Sequence, residues 1–318
     1  MDPARPVDAP RRAPARRSPP GLFVGLATLD LVYRVERAPR PDEKVRALSQ
    51  EVAAGGPAAN AAVTYAALGG AATLATALGR HPLALAVLED LSAHRVVLLD
   101  ATPDAAGPPP VATAAVEEGT GHRTVVSVGA AASSAEPPDG LTRAAAAASV
   151  VVVDGHHPQL ALAAARAAQR VATPVVLDAG SWKPVLRDLL PLVTVAACSA
   201  GFRPPGVKSA ADVPAALHHL GVRTVVVTHG GEPLSWSSGG ATGSVEVEPV
   251  DAVDTLGAGD AFHGALAWAM ATRPDSGLER QLELAATVAS QRCRTAGQRA
   301  WLRDPALARR RDSWTLLG

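Results

Sequence analysis

From residue 21 onward, short β-branched runs alternate with Ala- and Leu-rich segments of helical length. That alternation restricts the chain to βαβ units wound about a mostly parallel sheet, an α/β fold with helices on both faces. The strand-like runs are 22–27, 72–78, 149–154, 174–180, 192–198 and 223–231. Several are apolar throughout, as strands covered on both faces must be. Helices are expected over 57–69, 82–93, 158–171, 184–190, 211–220, 257–273 and 277–295. Ligands of open α/β sheets bind beyond the carboxyl ends of the strands. Those ends carry Asp30, Asp154-Gly155, Asp178-Ala179-Gly180, Thr228-His229-Gly230-Gly231 and Asp254-Thr255-Leu256-Gly257, and several of them should line one crevice.

Two stretches break the rhythm. Residues 31–54 and 111–128 alternate apolar with polar, and the second turns naturally about Glu118-Gly119-Thr120-Gly121 as a hairpin. Strands with one wet face are expected to form a separate small sheet, whose obvious use is a lid. Residues 1–20, rich in Pro, Ala and Arg, have the composition of a disordered tail. Arg16-Arg17 resembles part of a twin-arginine export signal, but Asp30 interrupts the apolar stretch and no small-residue cleavage site follows. A chain of 318 residues that is 47% hydrophobic can bury one large core. Its formal net charge of +0 gives no footprint for nucleic acid or an anionic membrane, so a small-molecule partner is favoured. Cys198 and Cys293 stand in neither a disulfide nor a metal spacing, and no apolar run is long enough to span a membrane, which together point to a cytoplasmic protein. The histidine pairs at 156–157 and 218–219 read as loop and helix-surface residues.

The segment 251–270 carries the chemistry. A strand-like stretch ends in Gly257-Ala258-Gly259-Asp260, after which Phe262, Ala265, Leu266 and Ala269 repeat at helical spacing. The glycines allow a tight turn that aims free amides outward, and the helix dipole adds positive potential, which makes an anion site. A carboxylate in the first turn would repel a phosphate. It makes sense if Asp260 accepts a proton from an attacking hydroxyl while the amides stabilise the transferred phosphoryl group. The plainer alternative is that Asp260 complements the helix dipole. Gly257-x-Gly259 lacks the third glycine of a dinucleotide fingerprint, and no GxxxxGK[ST] loop occurs, so a P-loop ATPase is excluded and a dehydrogenase disfavoured.

DTLGAGDAF (254–262) and AAGGPAANAAVTYAALGG (53–70) together resemble the paired signatures of the ribokinase/PfkB family of carbohydrate kinases, and ketohexokinase-like fructokinases look most similar. VGLATLDLV (24–32), VRALSQ (45–50), GHRTVVSV (121–128) and SQRCRTAGQ (290–298) extend the likeness over almost all of 21–300. The resemblance implies a ribokinase-like three-layer sandwich over 21–318, with a mostly parallel central sheet and a small β-sheet lid. It implies Asp260 as catalytic base and Gly257, Ala258 and Gly259 as anion hole. Asp30, Gly56 and Asn60 match substrate-binding positions, and Arg123 a lid arginine that reaches substrate or phosphate. Thr228, Gly230, Gly231 and the Cys293 stretch match the nucleotide site, and Asp254 and Leu256 a monovalent-cation position.

Three departures stand out. Cys198-Ser199-Ala200-Gly201 replaces an Asn-x-x-Glu motif that orders Mg²⁺, Pro57 stands where those fructokinases carry a sugar-binding asparagine, and Arg80-His81-Pro82 replaces an acidic position. The resemblance thus implies ATP-dependent phosphorylation of a hydroxyl on a sugar or sugar-like molecule, with ATP, Mg²⁺ and K⁺ as cofactors. Other acceptors in view are a nucleoside, which 3% aromatic residues make the poorer choice, and an anionic sugar. A sugar-binding regulator that kept the fold without the chemistry is the alternative from another class. An exposed edge of the lid sheet invites pairing with a second copy, so a homodimer through the lid is expected.

Overall fold

The computed structural model describes residues 18–128 and 135–316. The tail expected over 1–20 lies, up to residue 17, outside the described residues. The strands are β1 (Pro20–Val24), β2 (Thr28–Val35), β3 (Ser49–Gly55), β4 (Ala71–Thr76), β5 (Val96–Asp100), β6 (Val111–Glu117), β7 (Arg123–Ser127), β8 (Val150–Val153), β9 (Val175–Ala179), β10 (Val195–Ser199), β11 (Thr224–His229), β12 (Glu232–Ser238) and β13 (Ala241–Val245). The helices are α1 (Pro57–Ala67), α2 (Pro82–Ala93), α3 (Leu141–Ala147), α4 (Pro158–Arg170), α5 (Leu186–Leu189), α6 (Val213–His219), α7 (Ala258–Thr272), α8 (Leu278–Cys293) and α9 (Pro305–Leu316).

The large sheet has nine strands in the order β13-β12-β11-β10-β9-β8-β1-β4-β5. From β11 to β5 every pairing is parallel, and β12 and β13 extend one edge as an antiparallel hairpin. Successive side chains on a strand point to opposite faces, so an all-apolar strand feeds two cores at once. Phe23, Val150 and Val152 join the cluster under α1, α2, α7 and α8, while Leu22, Val24, Val151 and Val153 join the cluster under α3, α4 and α6. This is the three-layer arrangement that the alternation of runs predicts. Among the described residues no helix is long and apolar enough to cross a membrane.

The amphipathic stretches form a second, four-stranded sheet in the order β3-β2-β6-β7, with the 118–121 turn joining β6 to β7. β2 pairs in parallel with β6 and antiparallel with β3, so its connection to β6 runs through α1, α2 and the edge of the large sheet. Val32, Ala114 and Val116 form a small apolar cluster against Leu256. The opposite face leaves Val52 and Val126 exposed, the latter at 72%.

Two helices position the centre of the molecule. α1 is buried nearly all round by alanines, with Pro57 in its first turn. α7 crosses it so closely that a Cβ on Gly264 would lie 2.4 Å from the Ala61 carbonyl oxygen. Small residues on both helices are what permit that approach.

His156 and His157 lie in the loop before α4, as expected, and His157 is buried there, 3.4 Å from Thr76 Oγ1. Asp154 does not line the crevice. It is 2% exposed and accepts from the Leu26 and His156 amides, splinting the ends of β1 and β8.

Candidate active site

The turn into α7 forms as the glycine pattern requires. Gly257 is the N-cap with φ +76°, a left-handed conformation that L side chains adopt at a cost. Ala258 and Gly259 open the helix, and Asp260 follows in its first turn, so the orphan amides of the helix start and the carboxylate share one end. Asp260 is partly exposed. Its Oδ2 accepts from Asn60 Nδ2 at 2.8 Å, across the α1–α7 crossing.

Asp260 is held well above the usual carboxylate range, at about 7. Burial is the main cause and the nearby Asp178 charge adds to it, against the Asn60 hydrogen bond and His263, which lower it. Asp178, at the end of β9, lies 3.3 Å from His263 Nδ1, close enough to interact but off the hydrogen-bonding direction. A carboxyl that titrates near neutrality suits proton abstraction at physiological pH. A cap needs no such environment.

Asn60 is itself pinned. Arg299 donates from Nη1 to Asn60 Oδ1 at 3.0 Å, and a guanidinium can only donate. The carbonyl end of the amide is thereby fixed, and the NH₂ end must face Asp260. Arg299 is anchored in turn by Asp90 Oδ2 at 2.9 Å and by the Ala54 carbonyl. Asp30 accepts from Thr28 Oγ1 and, at 2.7 Å, from Gln298 Nε2, while burial raises its pKa against these bonds. Gln298 is only 4% exposed, its amide donates to Glu51, and its Oε1 has no hydrogen-bond partner among the described residues. Gly56 caps α1 between these groups, and Asn60 N donates back to its carbonyl.

Beyond the α7 turn opens a crevice of about 800 Å³, lined by Thr228, Gly230, Gly231, Ala258, Gly259 and Cys293 together with Arg123, Ser199 and Phe262. That volume accommodates a nucleotide-sized ligand. Arg123 reaches from β7 to donate to Thr255 Oγ1 at 2.6 Å, which ties the small sheet to the loop before α7. The predicted residues therefore fall into two adjoining groups. Asp30, Gly56, Asn60 and Asp260 lie at one end, and Thr228, Gly230, Gly231 and Cys293 at the other, with Gly257–Gly259 between them.

Asp254 and Leu256 lie beneath the loop, where Leu256 N and Gly297 N each donate to the Asp254 carboxylate at 3.0 Å and Arg292 Nη2 lies 3.3 Å from it. The Asp254 oxygens are therefore already engaged. No group of three or more His, Cys, Asp or Glu side chains among the described residues could cage a metal. Mg²⁺ needs no such cage, since it is commonly held by nucleotide phosphates, waters and one or two carboxylates. Asp178, the carboxylate whose charge acts on Asp260, would be the acid to contribute, since Cys198-Ser199-Ala200-Gly201 supplies none.

Gln298, Arg299, Arg292 and Glu51 were not marked individually by sequence reasoning. Their positions matter only through contacts across the fold, and the one signal available, the Cys293-containing stretch that shares the family likeness, covers Arg292 and Gln298 alone.

Comparison with known proteins places the chain. The profile described as pfkB family carbohydrate kinase matches residues 22–304. A ribokinase from Arabidopsis thaliana is 26% identical over 276 residues, covering 82% of this chain and 73% of that protein. Its fold is shared with a provisionally assigned ribokinase from Agrobacterium tumefaciens (TM-score 0.81, 26% identity, 93% of this chain and 98% of that one). It is shared also with Arabidopsis thaliana ribokinase complexed with ribose and ATP (TM-score 0.76, 24% identity, 92% and 99%).

Proposed function

Because the chain belongs to the pfkB family of carbohydrate kinases, we propose that it transfers the γ-phosphoryl group of ATP to a hydroxyl of a neutral sugar, with Asp260 as the base. The observation that carries this reading is the Asp260 carboxyl. Raised to about 7, it is bonded to Asn60 and stands at the mouth of the amide turn that faces the 800 Å³ crevice.

In this reading the acceptor hydroxyl lies between Asp30, Asn60 and Asp260. As its oxygen bonds to the γ-phosphorus, its proton passes to Asp260, the bond from phosphorus to the ADP bridging oxygen breaks, and ADP leaves. The amides of Gly257–Gly259 and the Arg123 guanidinium offset charge on the phosphoryl oxygens. Asp178 would help to hold magnesium brought in with the nucleotide phosphates, and that ion would supply further charge neutralisation. The adenosine end is assigned to Thr228, Gly230, Gly231 and Cys293. The small sheet acts as the lid, excluding water that would compete as acceptor.

A neutral acceptor is favoured because Arg299, the guanidinium at the acceptor end, is already engaged by Asp90 and Asn60. The supply of ATP and the unpaired Cys198 and Cys293 support a cytoplasmic setting. A second copy of the chain is proposed to cover the exposed outer face of the lid, where Val52 and Val126 lie.

The test is a phosphorylation assay with ATP and magnesium across a panel of pentoses, hexoses, nucleosides and sugar phosphates. Turnover of at least one neutral sugar is expected, and Asp260→Asn should lower it by about 10²–10⁴-fold while nucleotide binding persists. Unchanged turnover in the variant would remove Asp260 from its role. A wild type that binds sugar and transfers no phosphoryl group would leave the regulator reading instead.

A further inference from the structure

Arg292 sits where a monovalent cation would be needed, and we propose that its guanidinium replaces that ion, so that this kinase works without potassium. The inference rests on the kinase reading above.

Three observations carry it. Asp254, the carboxylate such an ion would bind, is 1% exposed and faces a side chain that is 2% exposed, Arg292. A buried carboxylate demands a positive partner, and here the chain supplies one covalently. The same guanidinium also takes the carbonyls that a bare cation would use, donating from Nη1 to Thr295 O at 2.9 Å and lying 3.5 Å from Asp254 O. Finally, both oxygens of the Asp254 carboxylate already accept backbone amides, Oδ1 from Leu256 N and Oδ2 from Gly297 N, each at 3.0 Å. A dehydrated cation needs several free oxygens around it. Added here, it would meet engaged ones and a like charge.

The exchange changes the chemistry of the site. A guanidinium is a fixed fork of donors that cannot be lost to solvent, whereas an ion comes and goes with its concentration. Arg292 stands in the last turn of α8 and bonds the turn at Thr295 and the loop that leads into Gly257. It therefore holds the amide turn in shape and contributes a permanent positive charge beneath it.

The experiment compares the wild-type protein in potassium, sodium and choline chloride at equal ionic strength. Phosphorylation rates should agree within about twofold, and the melting temperature should show no potassium-specific rise. A rate at least tenfold lower in choline and restored by potassium would overturn the proposal. So would a potassium-specific rise in melting temperature, which needs no knowledge of the acceptor. Absence of phosphorylation in every salt would count against the kinase reading, and the melting series would still decide this one. In Arg292→Ala the rate should fall at least tenfold and be restored, wholly or in part, by potassium or guanidinium ions at low millimolar concentration. A variant whose circular dichroism matches the wild type but which neither ion restores would also overturn it.

Discussion

Asp260 is a carboxyl that the fold keeps from ionising easily. Because its folded-state value is raised from 3.8 to about 7, the carboxyl is half protonated near neutrality. The specificity constant should accordingly rise with pH through a midpoint near 7, and a pH profile of kcat/KM, which reports the free enzyme, checks this. The same shift has a stability sign. Between about pH 4 and 7 the folded protein holds a proton that the unfolded chain has released, so this group's contribution to stability is lost as pH rises through that window. Above the folded-state value the penalty is constant. Asp260→Asn removes it, so the variant should melt at a higher temperature than the wild type at pH 8 while turning over far more slowly. A variant that melts lower at pH 8 would mean that the carboxylate is better satisfied than burial implies. Asp260 and Asn60 were legible because local pattern and paired signatures marked them. Arg299 and Gln298 were not, since their partners Asn60 and Asp30 lie 239 and 268 residues away in sequence.

Among the elements, most of the parallel strands and the helices between them were written in the period of apolar residues, but β5 and α3 fell outside the expected segments. β12, β13 and α9 were not written so. β12 reads EPLSWSS, with little apolar character, and only Leu234 of it is buried. α9 reads PALARRRDSWTL, and only Leu307 and Trp314 of it are buried, too few to impose a stripe. The parallel pairing of β2 with β6 was also hidden, since alternation gives a strand its faces but not its neighbours. The amphipathic strands did foretell a sheet of their own. Its link to the α7 loop is the Arg123–Thr255 hydrogen bond. Arg123→Ala should leave the melting temperature nearly unchanged, as expected for an exposed side chain. It should lower kcat by about tenfold and raise ATP hydrolysis in the absence of sugar. Measuring sugar phosphate and ADP in parallel separates those effects, and equal coupling in variant and wild type would deny the strand its part in closure.

At the scale of the whole molecule, the outer face of the small sheet is where the chain is least finished. Val126 is 72% exposed and Val52 50% exposed on a sheet whose other face packs against Leu256. Light scattering should give a dimer for the wild type, and Val126→Glu should shift it toward monomer by placing a charge in the shared face. A wild-type monomer at high micromolar concentration would refute the pairing.

The contact between Gly264 and the Ala61 carbonyl has a consequence at this scale too. Asn60 precedes Ala61 on one helix and Asp260 lies one turn before Gly264 on the other, so the span from amide to carboxyl is gauged by how closely two rods can touch. In the proposed reaction the protein sets its reach with a missing methyl group, and a single carbon added deep in its interior would shift the carboxyl against the amide it faces.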